Sequence, residues 1–328
     1  MKDIKDFLQN SFLFKVFSPE KKSFFSAFFS IKKILKEEKP DILHLHGTRA
    51  AVWGRTAVIG LKRKPRVVYT LHGFHILHSN FLKRFLFLKM EKFLNKWTDV
   101  LVCVSEADKK IFLEKKMISA DKVKVIKNGI EIAKFQISQE KVEEKRKELG
   151  LENSFVVSAV GRLHHQKDFF TAIRSLKILK EKIPELKLLI IGEGPQRERL
   201  EKEAEEVKDK IQFLGQRKDV PILLNVSDVV ILPTNWEGLP LVSLEAGASG
   251  KPFLASNVGG VRETVVEEKT GFLFKPHSEK ELAEKIFQLY CSPELRGEMG
   301  QNNFQFVSEN FSREKMAQHY KNLYQSLL

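Results

Sequence analysis

Residues 228–256 read DVVILPTNWEGLPLVSLEAGASGKPFLAS. DVVILPT (228–234) and PFLAS (252–256) are short apolar runs without polar alternation. Pro240 stands where the first turn of a helix tolerates a residue lacking an N–H, and 241–249 continues as that helix. Unalternating strands separated by helices are the pattern of a parallel sheet buried on both faces. The segment therefore predicts strand, loop, helix, strand. It places Glu237 at a strand's carboxyl end and Glu245 about one turn into the helix.

The same pattern extends in both directions. FVVSAVGRL (155–163), LKLLIIGEG (186–194) and IQFLG (211–215) precede it, with helices expected over 168–182 and 195–209. Further upstream, DILHLHG (41–47), RVVYTLHG (66–73), DVLVCVS (99–105) and KVKVIKNG (122–129) form a second series, with helices expected over 24–38, 80–97 and 105–116. Ser105 followed by Asp108 is a helix N-cap with a capping-box acid. A charged stretch, 138–154, separates the two series. The expected class is α/β, with two doubly wound, Rossmann-like domains over 1–145 and 146–310. Residues 311–328 are expected to form a C-terminal helix packing back toward the N-terminal domain. Ligands of such sheets bind at the carboxyl ends of the strands.

The 328 residues are 42% hydrophobic and 30% charged, a globular composition. Two cysteines make neither a disulfide framework nor a cysteine metal site, and they suit a reducing compartment. No apolar run approaches the roughly 20 residues of a membrane span, and the N-terminus carries acids where a signal peptide carries bases. The reading is a soluble or peripheral protein, cytoplasmic and on the inner face of the plasma membrane. The net charge of +14 resides wholly in residues 1–140, and between Arg49 and Trp97 eleven bases face one acid, Glu91. NFLKRFLFLKMEKFLNKW (80–97) mixes these bases with Phe and Leu, as a helix lying on an anionic membrane does. A core helix with a solvated cationic side has the same composition. No nucleic-acid module is recognisable, and no nucleic acid is expected.

Several strand ends carry candidate binding residues. Gly192-x-Gly194 lets phosphate approach a helix start, or is simply a strand-to-helix turn. Arg162 and Lys167 can grip a diphosphate as a fork and a point charge, or belong to a solvated loop. Glu245, sheltered in a helix, needs its oxygens satisfied, which vicinal sugar hydroxyls would do. Gly259-Gly260 marks another close approach or sharp turn. Five of nine histidines fall at 44, 46, 72, 75 and 78. His44-x-His46 invites a metal reading, but the later strand ends lack the further ligands it needs. His72 or His75 lining a cleft is the alternative. No Asp-x-Asp pair exists to bridge a divalent cation to a nucleotide diphosphate.

Together, VGRLHHQKD…LIIGEGP…IQFLGQ…SDVVILPTNWEGLPLVSLEAGASGKPFLASNVGGVRETV…TGFLF, within residues 160–274, resembles the donor domain of the family 4 retaining glycosyltransferases. These have the GT-B fold, two Rossmann-like domains facing across a cleft. Glu237 and Glu245 correspond to that family's E-x7-E motif. PDILHLHG, YTLHGFH, DVLVCVSEADKK and VIKNGIE resemble its N-terminal domain, particularly in members that assemble capsule and lipid-linked polysaccharide.

The resemblance implies roles. Arg162 and Lys167 would hold the donor diphosphate, and Glu245 the ribose hydroxyls. Glu237 would contact the transferred sugar, and His72 would face the reaction centre. Gly161, Gly192, Gly194 and the turn of Gly238, Leu239, Pro240 and Leu241 would line the donor pocket. No metal or other cofactor is implied. The partners implied are a nucleotide-sugar donor, UDP-linked, a lipid-linked or glycan acceptor, and an anionic membrane surface met by the basic N-terminal domain. Family members open with a strand and a glycine-rich loop; here the first glycine is Gly47, so a shortened N-terminal domain is expected. Two other readings remain: a relic binding nucleotide-sugar as a scaffold, and a nucleotide-sugar epimerase on the same fold.

Overall fold

The computed structural model describes residues 24–74 and 80–328. The basic Phe-rich start of the chain, His75 and His78 lie outside the described residues. The chain divides into two compact units, one of residues 1–128 with 313–328, the other of residues 129–312.

In the first unit the chain runs α1 (Phe24–Glu38), β1 (Ile42–His46), α2 (Gly47–Val58), β2 (Arg66–Leu71), α3 (Phe81–Leu94), β3 (Val100–Cys103), α4 (Glu106–Glu114) and β4 (Val123–Val125). The strands form one parallel sheet in the order β1-β2-β3-β4. Ser105 caps α4, its Oγ accepting from the Asp108 N–H at 3.1 Å as the sequence predicts. Successive residues of a strand face opposite ways. Val67, Tyr69 and Leu71 of β2 therefore join the helices' apolar residues in one core, while Val68 enters another with Val100 and Val102. That second face is covered by the last helix of the chain, through Tyr320, Leu323 and Tyr324.

The second unit runs α5 (Gln139–Glu148), β5 (Phe155–Val160), α6 (Phe169–Leu179), β6 (Leu186–Ile191), α7 (Arg197–Glu203), β7 (Ile211–Gly215), α8 (Val220–Asn225), β8 (Val229–Leu232), α9 (Leu241–Ala248), β9 (Phe253–Ser256), β10 (Gly271–Phe274), α10 (Glu279–Cys291) and α11 (Pro293–Asn310). Helix α12 (Arg313–Gln325) is the one that returns to the first unit. The six strands are parallel in the order β10-β9-β8-β5-β6-β7. Helix α6 buries Phe169, Ala172, Ile173, Leu176 and Leu179, the spacing of one helical face.

The units divide at Asn128/Gly129 rather than near residue 145. The charged stretch that reads as a linker is tied into the second unit: Val142 of α5 is buried in its core, and Gln212 Nε2 donates to the Leu149 carbonyl at 3.0 Å. Cys103 is buried, whereas Cys291, at the end of α10, is exposed.

Candidate active site

In the second sheet the chain leaves β5 toward β6 and β7, then returns to the other side of β5 as β8. The carboxyl ends of β5 and β8 flank this topological switch point, where a crevice opens in such sheets. The two loops there, after β5 and after β8, hold most of the residues expected from the sequence.

The loops are laced to one another. The Asn235 N–H donates to the Gln166 carbonyl at 2.8 Å, Thr234 Oγ1 donates to the same carbonyl at 2.9 Å, and Gln166 Nε2 donates to the Trp236 carbonyl at 2.9 Å. Asn235 Nδ2 adds a bond to the His165 carbonyl at 2.7 Å. The lacing sets Lys167 against Glu237, with Nζ 2.5 Å from Oε1. Thr234 Oγ1 lies 3.2 Å from the same carboxylate oxygen. The Lys167 side chain lies across Gly161, where any β-carbon would press on its methylenes at 3.3 Å. Arg162, the next residue, is exposed. Lys167 is followed by Asp168, a non-glycine residue in the left-handed region at φ +39°, whose carboxylate accepts from Thr171 Oγ1 at 2.7 Å.

Glu245 lies in the second turn of α9. Burial pushes its carboxyl above the usual range, and the Lys167 ammonium pulls partly against this. Gly238, Leu239 and Pro240 are buried in the turn before the helix, whereas Leu241 is exposed.

The glycines answer to the protein's own backbone. Gly192 has φ +140°, and a β-carbon there would strike the Gly161 carbonyl oxygen. One on Gly194 would strike the carbonyl of Leu163. The Gly161 N–H bonds the Ile191 carbonyl at 3.0 Å and the Leu163 N–H bonds that of Glu193 at 2.9 Å, so the loops after β5 and β6 are zipped together. Gly259 likewise packs on the Glu237 carbonyl, to which the Gly260 N–H donates at 3.3 Å.

His72 belongs to the other unit. It is exposed, with Nε2 3.2 Å from His46 Nδ1. His44 is held at both ring nitrogens, by Tyr324 Oη at 2.5 Å and Thr70 Oγ1 at 2.7 Å. Burial depresses the pKa of His44, and it brings His46 down to about 3, with His72 adding to both shifts. Among the described residues no group of three or more His, Cys, Asp or Glu side chains is placed to hold a metal ion. The sequence reading singled out Lys167 and Glu237 separately. It missed Gln166, Thr234 and Asn235, the residues that bring them together, although all three lie inside the motifs it quoted.

Residues 141–306 match the family described as glycosyl transferases group 1, and residues 8–134 the family described as glycosyltransferase family 4. The chain belongs to the family 4 glycosyltransferases. The capsular polysaccharide biosynthesis glycosyltransferase CapM of Staphylococcus aureus is 31% identical to this glycosyltransferase over 320 residues, 92% of this chain and 82% of CapM. An Escherichia coli enzyme named UDP-Gal:α-D-GlcNAc-diphosphoundecaprenol α-1,3-galactosyltransferase is 37% identical over 253 residues. That match covers 75% of this chain and 65% of the relative's length. In fold, the glycosyltransferase resembles the Anabaena protein HepE, solved in complex with UDP-glucose, with a TM-score of 0.84 at 23% identity over 98% of this chain and 88% of HepE. Sucrose-phosphate synthase of Thermosynechococcus elongatus gives a TM-score of 0.83 at 24% identity, over 95% of this chain and 80% of its own. The fold is GT-B.

Proposed function

We propose that this glycosyltransferase moves a sugar from a UDP-sugar to a hydroxyl of a lipid-linked or glycan acceptor in cell-surface polysaccharide synthesis, with retention of anomeric configuration and without a metal ion. The observation that carries the reading is the pairing of Lys167 with Glu237 at the switch point of the second sheet, with Glu245 within electrostatic reach of the same ammonium. The names of the Escherichia coli and Staphylococcus aureus relatives support the acceptor and pathway class, and the UDP-glucose bound to HepE supports the donor.

In this mechanism Glu245 accepts hydrogen bonds from the ribose hydroxyls, and Glu237 from hydroxyls of the sugar. Lys167 and Arg162 meet the diphosphate, whose charge grows as the bond from the anomeric carbon to its phosphate oxygen breaks. Cations fixed where that charge develops stabilise the transition state without reorganising. The acceptor oxygen attacks the oxocarbenium-like carbon from the face the diphosphate leaves. Its proton passes to the departing phosphate oxygen, so no separate protein base is required. His72 is the contribution assigned to the N-terminal unit.

The test is titration calorimetry with UDP, GDP and ADP, on the native chain and on Glu245→Ala. UDP binding that weakens in the variant supports the reading. Absence of binding by all three overturns it, and donor isomerised without any acceptor would assign an epimerase instead.

A further inference from the structure

Five non-glycine residues among the described ones hold left-handed backbone: Lys39, Lys116, Asp168, Glu268 and His277. Such backbone is strained for a residue with a β-carbon and persists only where its surroundings impose it. Two of the five, Asp168 at φ +39° and His277 at φ +63°, are bonded to each other. His277 Nδ1 lies 2.9 Å from Asp168 Oδ2, and since a carboxylate only accepts, the imidazole donates. The two come from different loops. His277 follows β10 at the edge of the second sheet, Asp168 follows β5, and β9 and β8 lie between those strands.

Asp168 stands directly before α6. An aspartate there ordinarily has extended backbone and caps the helix by accepting from an N–H of its first turn. Here the backbone is left-handed and the carboxylate makes no bond to a helix N–H. Its Oδ2 accepts instead from His277 and from Thr171 Oγ1.

The residue before it is Lys167, whose N–H bonds the His164 carbonyl at 2.8 Å and closes the three-residue turn His165–Lys167. The left-handed step at Asp168 follows at once, so it sets the direction from which the lysine side chain leaves the backbone. A lysine is a point charge on a flexible four-carbon stem. This one is restrained at three levels: its ammonium by Glu237, its stem by Gly161 and its root by the turn. Once a donor binds, the diphosphate competes with Glu237 for the ammonium, and the root is the restraint that stays unshared.

We propose that Asp168 and His277 are a positioning pair, holding the backbone after Lys167 in its left-handed turn and so fixing where the ammonium meets the donor diphosphate. The inference rests on the assignment of Lys167 to that diphosphate. A tie that served only to anchor α6 would act equally with or without the lysine, and that difference is measurable.

UDP is the probe, because its terminal phosphate carries the charge that the sugar masks in the intact donor. His277→Gly removes the imidazole and leaves a residue suited to the left-handed region. In the native chain it is expected to weaken UDP binding about two- to tenfold by calorimetry. Beside Lys167→Ala it should change nothing, because the pair acts through that lysine. Asp168→Asn and Asp168→Gly are both uncharged and both tolerate left-handed backbone, but only Asn keeps an accepting oxygen. The Asn variant should therefore bind UDP more tightly than the Gly variant, and thermal unfolding midpoints check that all are folded. A His277→Gly loss of equal size in both backgrounds, no loss in either, or equal affinity of the Asn and Gly variants overturns the pair and leaves the proposed function standing. Lys167→Ala that binds UDP like the native chain strikes the assignment of that lysine, and this inference with it. A native chain that binds no UDP removes both the proposed function and the pair.

Discussion

Lys167 Nζ lies 2.5 Å from Glu237 Oε1, in a pair whose side chains are 17% and 9% exposed. Each therefore holds the other in place before any donor arrives. Under the proposed mechanism the ammonium gains a second anion, the diphosphate, whose charge grows only as the bond breaks. Lys167→Ala is thus expected to lower kcat by roughly 10²–10³-fold, with a much smaller change in donor Kd. Arg162→Ala should show the same split, to a lesser degree because this side chain is exposed. Steady-state kinetics with calorimetric donor affinities distinguish the cases, and near-normal turnover in both variants would remove the assigned role.

Glu245 should trade stability for binding. Its carboxyl is raised above 4.5 by burial, so the folded state holds the proton more tightly than the unfolded chain. The group's favourable contribution is complete below pH 4.5 and is lost as pH rises through the folded value. Glu245→Gln is therefore expected to raise the thermal midpoint at pH 7 but not at pH 4, while weakening UDP binding at least about tenfold. A midpoint that falls equally at both pH values would show that the carboxylate is well satisfied without ligand.

The histidines of the first unit carry the opposite sign. Folding depresses His44 and His46, so their contribution is full above the ordinary value of 6.5 and is lost as pH falls toward about 3, the value for His46. Thermal midpoints should decline between pH 6.5 and 5, before most carboxylates titrate. His46→Gln should make the decline shallower. An unchanged slope in that variant would exclude His46 as a source of the acid sensitivity.

Glycine replacements separate packing from chain entropy. Gly192→Ala forces a β-carbon onto the Gly161 carbonyl, in a backbone conformation that side chains rarely adopt. A cost of about 1–3 kcal/mol or more is expected. Gly297→Ala, exposed in α11 with open space around its missing β-carbon, should stabilise by about 0.5–1 kcal/mol. Denaturant titration of the two variants reads both signs.

Helices α2 and α3 are joined by a fully buried ion pair, with Arg55 Nη2 at 2.7 Å from Glu91 Oε1 and Arg55 Nη1 donating to Asn95 Oδ1 at 2.9 Å. Removing one partner strands the other charge. Arg55→Met should cost about 3–5 kcal/mol, and adding Glu91→Leu should recover most of it. A double variant no more stable than the single would argue that the pair itself, rather than the stranded charge, carries the energy.

Much of this molecule is legible from residue order. β8 and β9 begin or end within a residue or two of the apolar runs at 228–234 and 252–256, because strands buried on both faces must be apolar throughout. The three N-terminal helices expected over 24–38, 80–97 and 105–116 are present. Helix α2 was not read, since Gly47 and Gly54 speak against a helix locally. Gly54 is there because Leu45 of β1 packs where its side chain would be, a contact no local pattern encodes. Gly192 and Gly194 read as room for phosphate or as a plain strand-to-helix turn, and Gly259-Gly260 as a close approach or a sharp turn. Their immediate neighbours are carbonyls of adjoining loops, chosen by sheet order rather than by sequence proximity. Lys167 and Glu237 stand 70 positions apart, and only the insertion of β8 beside β5 makes them a pair.

The first sheet is clad on one face by Tyr320, Leu323 and Tyr324, side chains that follow the whole of the second unit in the chain. During translation Val68, Val100 and Val102 therefore wait for residues beyond 312 to leave the ribosome. At about 5–20 residues per second that interval is roughly 10–40 s. The N-terminal unit is thus begun first and finished last, and its apolar face is open to chaperones throughout, while the second unit can complete itself as it emerges.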